Sequence, residues 1–206
     1  MKILIAAIIL TFISFEVHAN DHRLFSSYKD SSTIKRLPDS VKLQVDGDHA
    51  YYQKVVKLDS NITVPIIYIR TLQFMASKNI QQTYGYEEEG KVIFSTIQDL
   101  NINRIYVGDE NETVQPYSAQ FSIMLDMKKA RYRYTIDNIV FFLPTETGNK
   151  RETMNDVYLK ETTTDSRRIA REAKNLITSF ERYLTMLTGE LYDNVEQKSA
   201  MYKSKF

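Results

Sequence analysis

The stretch SAQFSIMLDMKKARYRYTIDNIVFFL, Ser118 to Leu143, decides the fold. Its first arm alternates strictly, with Ala119, Phe121, Ile123, Leu125 and Met127 on one face and Ser118, Gln120, Ser122 and Asp126 on the other. Successive strand side chains point to opposite faces, so a period of two marks a strand with one buried and one wet side. After a polar turn at Lys128 and Lys129, the return arm puts Tyr132, Tyr134 and Ile136 on one face and Arg131, Arg133, Thr135 and Asp137 on the other. The segment reads as an antiparallel β-hairpin. Its apolar face is expected to meet helices, and its Arg131/Arg133 face to meet water or a partner.

Working upstream, Ile80 to Glu88 reads as a strand, Glu89-Gly90 as a turn, and Lys91 to about Leu100 as the partner strand, with Val92, Phe94 and Thr96 opposing Ile93, Ser95 and Ile97. Between this hairpin and the central one, Gly108 to Glu112 forms an acidic loop. Before it, Thr63 followed by Pro65 matches a helix cap with proline in the first turn, and Lys78-Asn79 suits the helix end. Ala50 to Leu58 is aromatic and β-branched enough for a strand. Val41, Leu43 and Val45 alternate ahead of the Asp46-Gly47 turn signal and predict a short edge strand.

Downstream, residues 144–164 are polar, without sustained periodicity, and read as a connector. Residues 165–189 form the clearest amphipathic helix, capped by Asp165 or Ser166. Its apolar stripe of Ile169, Ala173, Leu176, Ile177, Phe180, Tyr183, Leu184 and Leu187 must pack on the sheet, and Gly189 is expected just past its end. Residues 190–206 form a tail expected to fray after about Glu196. The fold class is therefore α+β, an antiparallel sheet of about four to five strands over 41–143 backed by two helices.

The first nineteen residues are expected to be a signal peptide. Lys2 supplies the positive end, Ile3 to Phe15 the apolar run, and Val17-His18-Ala19 a cleavage site, with cleavage after Ala19. The run is shorter than the about twenty residues that span a bilayer, and no later segment approaches that length. The chain is thus expected to be exported to the periplasm or cell surface and to be soluble there. Residues 20–40 read as a flexible lead-in. With no cysteine, neither a thiol lipid anchor nor a disulfide is available, and stability must come from the core. A net charge of +1, from 27 basic and 26 acidic residues, gives no general attraction to nucleic acid.

Several segments support a family comparison: Tyr52 to Asp59, the helix, Glu88-Glu89-Gly90-Lys91-Val92-Ile93, and Lys129-Ala130-Arg131-Tyr132-Arg133-Tyr134-Thr135-Ile136. In this order they resemble the domain of unknown function 4468, found in exported proteins of Gram-negative bacteria and described as TATA-binding-protein-like. The resemblance covers about Lys42 to Leu143 and is closest in the last segment. Phe94, Ile97 and Leu100 replace the small-residue stretch usual after Gly90, and Ala130 stands where glycine is usual. The resemblance implies an antiparallel sheet backed by helices and no known activity. DNA binding does not follow from it, because function belongs to sites rather than folds.

The inventory of reactive groups is thin. There is no cysteine nucleophile and no Gly-x-Ser-x-Gly elbow, and only His22 and His49 lie beyond the expected cleavage. Asp46, Asp48 and His49 have metal-ligand chemistry but read more simply as an acidic turn, since no further ligands follow at a characteristic spacing. Glu87, Glu88 and Glu89 crowd a hairpin tip, where carboxylates are solvated. Arg167, Arg168, Arg171 and Lys174 read as the wet face of the last helix, and Arg168 with Glu172 as an i,i+4 pair. The sequons at Asn61 and Asn111 are idle if the bacterial source that the resemblance implies holds. No catalytic residue, metal or cofactor is assigned. Lys128, Lys129, Arg131 and Arg133 interleave with tyrosines and form the candidate partner-facing surface. The leading expectation is a non-catalytic module binding an envelope protein or another envelope component. A carrier of a small apolar ligand between helix and sheet, and an enzyme of unrecognised class, are the alternatives.

Overall fold

The computed structural model describes residues 41–105 and 112–196, with side chains over 41–101 and 116–196. The expected signal peptide, the lead-in of 20–40, most of the acidic loop and the tail beyond Glu196 lie outside the described residues. In chain order the elements are β1 (Leu43–Asp46), β2 (His49–Lys57), α1 (Val64–Ser77), β3 (Gln81–Tyr86), β4 (Lys91–Ile105), β5 (Glu112–Lys128), β6 (Arg131–Thr145), β7 (Gly148–Thr153), α2 (Met154–Thr163) and α3 (Arg167–Glu196).

Among the described residues, seven strands form one antiparallel sheet in the order β1-β2-β6-β5-β4-β3, with β7 on β6. The central hairpin is β5–β6. On its other side β6 pairs with β2 along 131–136 and with β7 along 140–145, so β2 and β7 share one edge end to end. Between those two stretches the β5–β6 register shifts, and Asn138 adopts φ 54°. This bulge resets the alternation. Tyr132, Tyr134 and Ile136 are buried before it, Ile139 and Phe141 after it, and one face stays apolar along the whole strand.

The expected hairpins and helices are present, with two corrections. Residues 144–164 are not a connector. Thr145 Oγ1 donates to the Gly148 carbonyl at 2.6 Å, turning the chain into β7. Thr153 and Asp156 then close a capping box, each side chain accepting the other's backbone N–H, which starts α2. The last helix also does not stop at Gly189, which is buried in its interior, because Leu191 and Val195 continue the apolar stripe to Glu196. The sheet therefore has more strands, and its backing one more helix, than expected.

Helices α1, α2 and α3 serve one face of the sheet. Phe180 of α3, fully buried, is the hub, with ring centroids 5.4 Å from both Phe121 and Phe141 and 6.0 Å from Tyr52. Edge-to-face contacts of this kind add about 0.5–1.5 kcal/mol each beyond burial. Glu181 accepts the Leu43 backbone N–H at 3.1 Å, tying edge strand β1 to α3. Arg70 of α1 donates to the Val195 carbonyl, and Lys78 pairs with Glu190, so α1 is fastened along the last turns of α3.

Candidate functional site

With the helices on one side, no element of the described residues covers the opposite face of the sheet. The strand register reads it in rows. Lys57, Arg131 and Lys128 form the row at the end of the central hairpin. The next row runs Val55, Arg133, Asp126, Lys91, Tyr86. The third runs Gln53, Thr135, Met124, Ile93, Tyr84. Beyond the bulge, Ile97, Gln120 and Val140 align. Val55, Tyr86 and Ile97 are 54–61% exposed, a large fraction for such side chains.

This face places each member of the predicted surface. Lys128 and Arg131 stand opposite each other, Lys129 lies in the turn, and all three are exposed. Arg133 sits one row in and is engaged, its Nε and Nη2 lying 3.2 and 2.7 Å from Asp126 Oδ2. Lys57 completes the basic row. The sequence reading missed it because its neighbour Arg131 comes from a strand far away in the chain. Among the described residues, Lys57, Lys128, Lys129 and Arg131 have no acidic ion-pair partner.

A second feature lies off the open face. A cleft of about 270 Å³ opens between the β6–β7 hairpin, α2 and α3. In it Glu152 is buried, its side chain 8% exposed, and its Oε1 receives both Lys160 Nζ at 2.6 Å and Lys150 Nζ. Burial alone pushes the Glu152 carboxyl up, but the hydrogen bonds and charges of the two ammoniums outweigh it and hold the group below its ordinary range. Glu152 in turn pushes Lys150 up. The feature was hidden in the sequence because all three residues fell within the expected connector. The Thr153-x-x-Asp156 capping box was the available signal.

The expected carrier space between helix and sheet is occupied where the Phe180 rings cluster. His49 does not assemble a site with Asp46 and Asp48. Its Nε2 points to Asp137 Oδ1 at 3.3 Å, and among the described residues no three His, Asp or Glu side chains converge on a common point. Glu87, Glu88 and Glu89 are exposed at the β3–β4 tip.

No family profile matches the sequence, and no curated protein does. Among solved structures the chain is similar to a TBP-like protein from Parabacteroides distasonis, with a TM-score of 0.57 at 12% identity over 75% of this chain and 97% of that one. It is similar too to a DUF4468 family protein from Bacteroides ovatus, with a TM-score of 0.56 at 9% identity over 76% and 93%. The fold is TBP-like. The resemblance read from the Lys129–Ile136 motif therefore agrees with the architecture. At these identities the likeness carries the TBP-like fold alone, and the site must be argued from its own residues. Among the described residues, no helix of this TBP-like chain is long and apolar enough to cross a membrane.

Proposed function

We propose that the protein is a non-catalytic binding module of the periplasm or cell surface, and that its open sheet face docks an acidic segment of an envelope protein. One observation carries the reading. The row Lys57, Arg131, Lys128, extended by Lys129, presents four cations without acidic partners among the described residues, beside exposed Val55 in the next row. Such a surface offers charge complementarity for orientation and apolar area for affinity.

The chemistry of the cleft supports a binding role over a catalytic one. A general base works best with a pKa near the operating pH. Glu152 is pushed down and Lys150 up, both away from neutrality.

The test is retention of an envelope protein on the immobilised chain, compared with the Lys128→Glu/Arg131→Glu double variant. The reading expects a partner whose contact segment is rich in Asp and Glu, whose retention weakens with added salt, and which the double variant loses. Equal retention by the double variant and the unmodified chain would refute it.

A further inference from the structure

We propose that the cleft between the β6–β7 hairpin, α2 and α3 binds a small amphipathic carboxylate, with its carboxylate at Lys150 and Lys160 and its apolar body against Val157, Ile169 and Leu176. This site is independent of the open face, and neither reading rests on the other.

The polar end follows from the arrangement of Glu152. One buried carboxylate oxygen takes a contact from each lysine, which fixes two ammoniums side by side at the cleft. An ammonium has three N–H donors, so each retains capacity for a further acceptor. The cleft lining carries two ammoniums, Lys150 and Lys160, and two carboxylates, Glu152 and Glu172; Glu172 also pairs with Arg168, outside the lining, at 3.2 Å, and its charge reaches Lys150. The remaining N–H donors of the two ammoniums suit an acceptor-rich anionic head.

The apolar end follows from the helices. Val157 of α2 and Leu176 of α3 are buried side chains that line the cleft, whereas Ile169 is 42% exposed on the apolar stripe of α3. Ile169, partly open to solvent on the packing stripe, gives the cleft an apolar wall. The volume of about 270 Å³ lies just below the ~300–1,000 Å³ usual for small-molecule sites. A cleft of this size suits a short or medium-chain alkanoate better than a long lipid.

The experiment is calorimetric titration of the whole protein with hexanoate, octanoate and decanoate, and with octan-1-ol as a neutral analogue of equal length. Affinity is expected to rise about fourfold per methylene until the cleft is filled. Octan-1-ol is expected to bind at least tenfold more weakly than octanoate. Lys160→Met should weaken octanoate at least tenfold while leaving octan-1-ol unchanged. Ile169→Glu, placed at an exposed position so that folding survives, should remove alkanoate binding with an unaltered melting temperature. Equal affinity for octanoate and octan-1-ol, octanoate binding indifferent to Lys160→Met and Lys150→Met, or no saturable octanoate binding at all would each overturn the proposal. None of these results bears on the open face.

Discussion

Across the β5–β6 pair the Arg133 guanidinium holds the Asp126 carboxylate, Nη2 to Oδ2 at 2.7 Å, while Tyr134, the very next residue, is buried on the other side of the sheet. Both groups of the pair are partly solvated, and exposed pairs contribute about 0–1 kcal/mol. Arg133→Glu is therefore expected to lower the melting temperature only slightly. Tyr134→Asp places an unpaired carboxylate beneath the helices and is expected to unfold the chain. Circular dichroism melts of the two variants decide it. The reverse order would mean that the faces of the sheet are assigned the wrong way round.

Two turn residues are expected to respond oppositely to exchange of glycine and alanine. Gly90 has φ 62°, and a Cβ there would stand 2.5 Å from the Met127 carbonyl oxygen, so Gly90→Ala should cost stability through both backbone strain and a clash. Ala130 also has a left-handed φ, 59°, and is held there by hydrogen bonds of 2.9 Å from Ala130 N to Ile62 O and from Leu58 N to Ala130 O. The strain of an L-residue in that region, about 1–2 kcal/mol, exceeds the entropy penalty of glycine. Ala130→Gly is expected to stabilise the fold by about 0.5–1 kcal/mol in urea denaturation.

The buried tyrosines make the fold sensitive to alkali. Burial pushes the Tyr117 phenol from 10.0 up to about 12, and raises Tyr52, Tyr132, Tyr134 and Tyr183 as well. For each, the folded value lies above the unfolded one. Their contribution is complete below the unfolded value of 10.0 and is lost as pH rises towards the folded values, because only the unfolded chain releases these protons there. Stability should fall steeply above about pH 10. Phenolate absorbance should lag behind that of a tyrosine model peptide until unfolding, then rise with it.

Glu152 works in the opposite direction. Its folded value lies below the ordinary 4.5, so its contribution is present above that value and is lost as pH falls through the folded one. Glu152→Gln leaves Lys150 and Lys160 together without their shared carboxylate. After allowance for the partial exposure of both lysines, it is expected to cost about 1–2 kcal/mol at neutral pH. The difference between the unmodified chain and the variant should shrink below about pH 4.

What the sequence revealed and what it hid have physical reasons. The facing of β5 and β6 was legible because one side of each strand is core, and a two-residue period leaves a clear trace. The start of α1 was only half legible: Pro65 stands in its first turn, but the Thr63 side chain makes no cap bond, and Ile62, Val64, Ile66, Ile67 and Ile69 suit a strand equally well. Strand β7 left no trace, since only Glu152 of its six residues is buried and β6 supplies the pairing. Helix α2 buries just Met154 and Val157, too few for a helical period. Gly189 misled because a glycine inside a helix costs only about 1 kcal/mol, which the packing of Leu187, Leu191 and Val195 around it outweighs. The basic row was half visible. Lys128, Lys129 and Arg131 are contiguous enough to notice, but Lys57 joins them only through the β2–β6 register.

The central claim is that an acidic partner docks on the open face, and carbodiimide coupling tests it most directly because it joins amines to carboxylates in contact. Envelope preparations containing the protein would be treated and the joined peptides sequenced by mass spectrometry. The account predicts adducts linking Lys57, Lys128 or Lys129 to Asp or Glu of one partner protein, and none from Lys174 on the wet face of α3. Adducts confined to Lys174, or none to any protein at the open-face lysines, would contradict it.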